Sequence, residues 1–271
     1  MDNQLLATDI KPLKRSKLYW VFSDSLVLIG RSLRHILKNP DQLAAVAIQP
    51  IMFMLLFRYV FGGAIKTNGT TYVNFLVPGI LIQTAAFGAT TTATNIAADL
   101  SRGIIDRLKS LPIFDTGVLI GHVVADLVRN TASAIIMIIV AFIVGFRPTA
   151  SAGQWILSFG MILLFTFALS WLSAILGLFA SNVEAVQWMS FLFIFPLTFA
   201  SSTFVPTDGM PKYLKIFAEN QPVTHVIGAL RSWLAGTPME NHAWLALAWL
   251  TAIIVISIPV STMMYRQKGR N

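Results

Sequence analysis

The residues of this sequence that could do chemistry are few and unevenly placed. Asp99, Arg102, Asp106, Arg107 and Lys109 crowd into "AADLSRGIIDRLKSLPI", residues 97 to 113, with long apolar runs on either side. Asp126 and Arg129 stand one turn apart inside the next apolar run. A carboxylate and a guanidinium so placed serve either as a gate or relay, or as a local ion pair in a helix that projects from its apolar surroundings. Glu184, beside Ser181-Asn182, reads as a solvated turn residue, and Arg58 has the reach to bring its head group to an interface. The chain has no cysteine, which excludes disulfides, iron–sulfur clusters and thiol catalysis, and its four scattered histidines make no metal site. It lacks the G-x-x-x-x-G-K-[ST] phosphate loop, the H-E-x-x-H zinc pair and the G-x-S-x-G nucleophile elbow. The expectation is a non-enzyme with no catalytic residues, no metal and no ATPase motif of its own.

The elements that must position these residues follow from composition. Of 271 residues, 55% are hydrophobic and 12% charged, against roughly 25% charged in soluble domains. The chain is therefore expected to be an all-α integral membrane protein. Its net charge of +8 would suit nucleic acid only if the basic residues formed a continuous face interleaved with aromatics. They sit between apolar segments instead, so no nucleic-acid partner is expected. The polar N-terminus, "MDNQLLATDIKPLKR", lacks the apolar core of a signal peptide, and insertion without cleavage is expected.

Crossing a ~30 Å hydrocarbon layer takes roughly 20 helical residues. Six segments qualify as transmembrane helices: 41–61, 74–97, 117–145, 154–180, 185–205 and 242–264. Seven Lys or Arg precede residue 39, three lie in 98–112 and three follow residue 265, against five in the opposite loops. Basic loops stay cytoplasmic, so both termini and residues 98–112 are expected inside. Residues 18–38 gather Asp24, Arg31, Arg34, His35 and Lys38 on one helical side and Phe22, Leu26, Ile29, Leu33, Ile36 and Leu37 on the other. That pattern predicts an N-terminal amphipathic interfacial helix, with a seventh span as the alternative. Residues 211–218 and 222–235 are apolar-periodic, too short to cross, and carry a proline near each start. Together, 211–235 reads as two short re-entrant outer helices between spans five and six, with an ordinary external loop as the alternative.

As a helix, 98–112 places Asp99, Arg102, Asp106 and Lys109 along one side and Leu100, Ile104, Leu108 and Leu111 on the other. Such a cytoplasmic helix can lay an apolar ridge in a partner's groove while the charges set its register. Gly103 would permit close approach of that partner, and Pro112 would stop the helix before span three. Six spans without an engine suggest a subunit, and this stretch is where an engine would attach.

Two motifs resemble the type-2 ABC exporter permeases, in particular their daunorubicin-type drug-resistance branch. In "DLSRGIIDRLKSLPI", Asp99, Arg102, Gly103, Asp106, Arg107, Leu108 and Pro112 fall on the positions of that family's coupling helix. Asp99 and Asp106 stand where Glu is usual, and Ile105 where Thr is frequent. In residues 195 to 236, Phe204, Val205, Pro206, Met210, Pro211, Leu214, Pro222 and Arg231 match the segment joining the last two spans, with Gln221 where Asn is commoner. The resemblance covers nearly the whole chain as a single ABC-2 type transmembrane domain. It implies a permease in a bacterial inner membrane, paired with a second permease copy in a homo- or heterodimer and surrounded by lipid. It also implies a separate ABC ATPase subunit that carries ATP and Mg, with no cofactor in this chain. A route between the two permeases would be lined by spans one, two and five. Carried onto this chain, that gives Phe53 and Phe57, then Thr84, Phe87 and Thr91, then Phe191, Phe195 and Phe199. Packing or lipid contact is the alternative duty for these aromatics. The implied function is export of an amphipathic or hydrophobic small molecule. A polysaccharide or lipid exporter of the same family is the alternative within it. Outside it, the alternatives are an ATP-independent carrier or channel and a membrane-bound enzyme or assembly scaffold.

Overall fold

The computed structural model describes residues 40–65, 67, 71–104, 117–236 and 241–268, with side chains from residue 48 onward. The expected interfacial helix, 18–38, lies outside the described residues. We number the helices α1 (Pro40–Leu56), α2 (Tyr72–Ser101), α3 (Gly117–Val144), α4 (Ala152–Phe179), α5 (Val183–Phe199), α6 (Lys212–Asn220), α7 (Pro222–Ala235) and α8 (His242–Gln267). A π-helical turn, Phe57–Phe61, prolongs α1. No strand occurs among the described residues.

Four of these helices, α2, α3, α4 and α8, are long and apolar enough to cross a membrane. They match four of the six expected spans, and the chain is a multi-pass membrane protein. The other two expected spans correspond to shorter apolar helices, Ile48–Phe61 and α5. At about 1.5 Å per residue, the 17 residues of α5 reach about 25 Å.

Helix α2 is the axis of the bundle: 78% of its apolar window is buried inside the protein, against 22% for α8. It packs on α1, α3, α4, α5 and α7, and α4 lies between α2 and α8. Lipid supplies no hydrophobic drive for helix pairing, so close approach depends on small residues. Ala85, Ala89, Ala93 and Ala97 recur every four residues on α2, all buried. At Gly177 of α4 a Cβ would stand 2.5 Å from the Ala93 carbonyl oxygen. Short turns make α4 antiparallel to its neighbours in the chain. Ser151 and Gln154 cap its start reciprocally, Ser151 N–H donating to Gln154 Oε1 at 2.7 Å. Asn182 then caps α5, accepting from Ala185 N–H at 2.7 Å.

The bundle has two distinct ends. At one, the end of α2 meets the start of α3, the end of α4 and the end of α8 through Ile96, Val118, Leu178 and Tyr265. At the other, Asn74 Nδ2 donates to the Arg147 carbonyl and Arg147 N–H donates to Asn74 Oδ1, each at 3.0 Å. These two bonds tie the start of α2 to the α3–α4 turn, and α6 and α7 sit at this same end.

Span five, expected to reach residue 205, ends as a helix at Phe199. Residues 200–204 continue as turns, and Ser201 to Phe204 are buried. Irregular backbone at such a place needs protein partners, because lipid offers none. Arg231 of α7 supplies them. Its Nη2 donates to the Ser202 carbonyl at 2.6 Å and the Thr203 carbonyl at 3.3 Å, and Nη1 donates to Ser202 Oγ at 3.2 Å. Its Nε donates to the Phe75 carbonyl at 2.9 Å, and its guanidinium lies 3.5 Å from the centre of the Phe75 ring. The close approach of this segment to α2 requires Gly79, where a Cβ would stand 2.3 Å from the Thr203 carbonyl oxygen. Arg231, counted above among loop charges, is therefore a buried fastener, 7% exposed.

The two short helices between α5 and α8, expected at 211–218 and 222–235, run over Lys212–Asn220 and Pro222–Ala235. On α6, Lys215 Nζ donates to Asp208 Oδ1 at 3.2 Å, and this bond, then Glu219, raises its pKa above 10.5. Helix α7, at 14 residues too short to span, is joined to α8 by His225 and His242, whose Nδ1 atoms are 3.2 Å apart. One ring donates and the other accepts across that distance. Burial, then the neighbouring His242, lowers the His225 pKa below 6.5.

Candidate functional site

Between α1 and α2 the bundle opens into a cleft of about 230 Å³. Its lining is Gln49, Pro50 and Phe53 from α1 with Gln83, Thr84, Phe87, Gly88, Thr90 and Thr91 from α2. Pro50 removes one rung of the α1 hydrogen-bond ladder beside this gap. Phe53 and Phe87 provide aromatic faces. Thr84 Oγ1 donates to the Ile80 carbonyl and Thr90 Oγ1 to the Phe87 carbonyl, each at 2.7 Å, so both hydroxyls keep lone pairs to accept. Gln83, 2% exposed, has neither amide atom paired within the protein. Such a cleft suits a molecule with an aromatic body and hydrogen-bonding edges.

Of the residues expected along a route, Phe53, Thr84, Phe87 and Thr91 thus line one cleft. Phe57, Phe191, Phe195 and Phe199 do not line it; they belong to a series of rings that runs beside it. Phe191, Phe195 and Phe199 repeat every four residues along α5, with centroids 5.0 and 4.2 Å apart. Phe199 meets Phe53 of α1 edge-on at 5.8 Å, and Phe53 meets Phe57 at 6.4 Å. Phe204, from the irregular segment after α5, closes the series, stacking on Phe57 at 4.2 Å and meeting Phe199 at 4.9 Å. The outer face of α5 stays open, with Trp188 73% and Leu192 76% exposed.

Asp126 and Arg129 lie deep in the bundle, 0% and 3% exposed. Asp126 lies nine residues into α3, about 14 Å from the helix start, and with Arg129 it forms a local ion pair. Arg129 Nη2 donates to Asp126 Oδ1, and Ser170 Oγ of α4 donates to Asp126 Oδ2 at 2.5 Å. The Asn130 amide donates to the Asp126 carbonyl at 3.0 Å. Gly88 of α2 makes room for Asn130, whose Oδ1 would lie 1.8 Å from a Cβ there. The pair therefore couples α3 to α4, and its neighbour Asn130 packs against Gly88 of α2. Among the described residues no group of three or more His, Cys, Asp or Glu is placed to hold a metal.

At the opposite end of α2 the structure differs from the expected single helix over 98–112. Residues 98–101 are the last turn of α2, and Gly103 has φ +65°. Arg102 N–H donates to the Ala98 carbonyl and Gly103 N–H to the Leu100 carbonyl, each at 3.1 Å, so a left-handed turn ends α2. No atom lies within 4 Å of a Cβ built at Gly103. Backbone conformation, rather than crowding, is what calls for glycine there. Asp99 lies before this turn and faces His122 of α3, with Oδ2 and Nε2 3.1 Å apart. Arg102 is exposed. Asp106, Arg107, Leu108 and Pro112 lie outside the described residues. Sequence reasoning missed His122 and Gln83, and it had Arg231 only as a loop charge and a motif match, since nothing local to any of them signals its distant surroundings.

The architecture is that of a helical membrane bundle with an aromatic and hydroxyl-lined cleft between two of its helices. The family model for the ABC-2 type transporter matches residues 24–235, and the chain belongs to that family. It is 27% identical over 247 residues to the daunorubicin resistance ABC transporter permease protein DrrB1 of Streptomyces coeruleorubidus, covering 91% of this chain and 87% of that one. It is 23% identical over 221 residues to the probable doxorubicin resistance ABC transporter permease protein DrrC of Mycobacterium tuberculosis, covering 81% and 80%. It is also 26% identical over 234 residues to the putative transport permease ycf38 of Pyropia yezoensis, covering 82% and 79%.

Proposed function

We propose that this chain is the permease subunit of an ATP-driven exporter of amphipathic aromatic small molecules, powered by a separate ABC ATPase. In this reading α1 to α5 and α8 provide six crossings, with both termini in the cytoplasm of a bacterial cell and α6 and α7 on the outer side. The observation that carries it is the cleft between α1 and α2, where Phe53 and Phe87 face hydroxyl and amide groups. Its volume of about 230 Å³ falls below the roughly 300–1,000 Å³ of a drug-sized pocket. A second permease copy facing the open side of α1 and α5 supplies the other wall. The resistance permeases among the relatives weigh toward drug-like molecules rather than a polysaccharide. ATP and Mg bind the partner, which docks on the stretch around Arg102, Gly103, Asp106, Arg107, Leu108 and Pro112.

The test is to co-purify the chain with the ATPase encoded beside it and to reconstitute both in vesicles with doxorubicin as probe. ATP-dependent uptake into inside-out vesicles that needs both proteins is the expected result. Absence of an ATPase complex, or uptake driven by an ion gradient with no ATPase, would overturn the reading.

A further inference from the structure

The charged stretch was expected to offer Asp99 to another protein, yet the structure gives its carboxylate to His122. Helix α2 ends at Ser101 and α3 begins at Gly117. Asp99 is two residues inside the first of these ends, and His122 is five residues inside the second. Their side chains are each 14% exposed, and the Oδ2–Nε2 distance is 3.1 Å. A carboxylate only accepts, so Nε2 carries the proton and donates it. The bond therefore ties the end of α2 to the start of α3, the two helices that the sequence joins through Arg102 and Gly103.

Both partners stand on firm ground. Below them Ile96, Val118, Leu119 and Val123 pack against Trp171 and Leu178. Around Asp99, Ser101 Oγ donates to the Ala98 carbonyl at 2.9 Å, and the left-handed turn at Gly103 follows. A push delivered to the connection reaches α2 and α3 through these two helix ends. With the ends clasped, both helices move as one body; with the clasp open, the push separates them instead of moving the bundle.

We propose that His122 is the positioning residue of the energy-coupling segment, acting through Asp99 to make α2 and α3 respond together to the ATPase. The inference rests on the reading of this chain as an ATPase-driven permease.

Two measurements test it, and the first needs no ATPase. Because the chain has no cysteine, spin labels placed by substitution at Ser101 and Ile120 are unique, and electron–electron resonance reads their separation in the purified full-length permease. His122→Leu is expected to broaden that distance distribution at least twofold, and the exchanged pair Asp99→His with His122→Asp to narrow it again. An unchanged distribution in His122→Leu overturns the clasp, whatever the ATPase does. The second uses the permease–ATPase complex in vesicles. His122→Leu is expected to keep ATPase binding and ATP hydrolysis while transport per ATP falls at least tenfold, and the exchanged pair to recover at least half of it. Wild-type efficiency in His122→Leu overturns the coupling role, as does a loss the exchange fails to repair, since a merely structural histidine would not be rescued by reversing the pair. Failure of the wild-type chain to bind the ATPase overturns the coupling role together with the exporter reading, while the distance measurement still decides the clasp.

Discussion

Replacing Arg231 by methionine keeps much of its buried bulk and removes every donor. The carbonyls of Ser202 and Thr203 lie outside any helix and take their bonds from Nη2, whereas the Phe75 carbonyl lies within the α2 ladder. Leaving two buried carbonyls unpaired costs about 1–3 kcal/mol each. Loss of the guanidinium from the Phe75 ring, 3.5 Å away, adds about 0.5–2 kcal/mol. The sum centres on about 5 kcal/mol, a large share of the ~5–15 kcal/mol that holds a folded domain together. Unfolding in mixed micelles titrated with SDS, followed by tryptophan fluorescence, measures it. Arg231→Lys should recover only part, about 2 kcal/mol, because an ammonium reaches one carbonyl but neither forks nor stacks. If Arg231→Met stays within about 1 kcal/mol of wild type, or if lysine replaces arginine without loss, the fastening role is refuted.

Three further outcomes follow from the same geometry. Gly79→Ala, which puts a Cβ against the Thr203 carbonyl, should destabilise by about 1–3 kcal/mol and be non-additive with Arg231→Met in the same titration, since both act on one segment. His225 has a pKa below 6.5 in the folded protein, so the unfolded chain binds the extra proton more readily; thermal stability should be full above pH 6.5 and fall below it, and His225→Phe should flatten that slope in a melting series. Gly103→Val forces a β-branched residue into φ +65°; transport in reconstituted vesicles should be lost while membrane insertion, read by protease protection, is retained.

How much could be read in advance depended on the range of the signal. The long spans show themselves in composition, because each must be apolar over its own length, and α6 and α7 were legible from the prolines that start them. The early end of α5 was not, since "FPLTFASSTFVP" carries no charge and returns to Phe204 and Val205 after its hydroxyl residues, and its irregular backbone is held by Arg231, 29 residues from Ser202 and 156 from Phe75. The cleft was half legible. Spacing alone could not separate Phe53 and Phe87, which line it, from Phe191 and Phe195, which stack on α5. Asp99 was half legible for the same reason: its charge was visible, and the histidine beside it, 23 residues on, was not.

The hydroxyls of α2 have one more consequence. Thr84, Thr90 and Thr94 each donate to a carbonyl of their own helix, so none of these donated bonds ties one helix to another. Exchanging Thr84 or Thr90 for valine or alanine, or adding a serine nearby, changes what the cleft offers a guest without loosening a seam between helices. If the cleft is the cargo site of the proposed exporter, selectivity and architecture are separable. A panel of single substitutions along one face of α2 is then expected to retune which molecules are accepted while the bundle stays assembled.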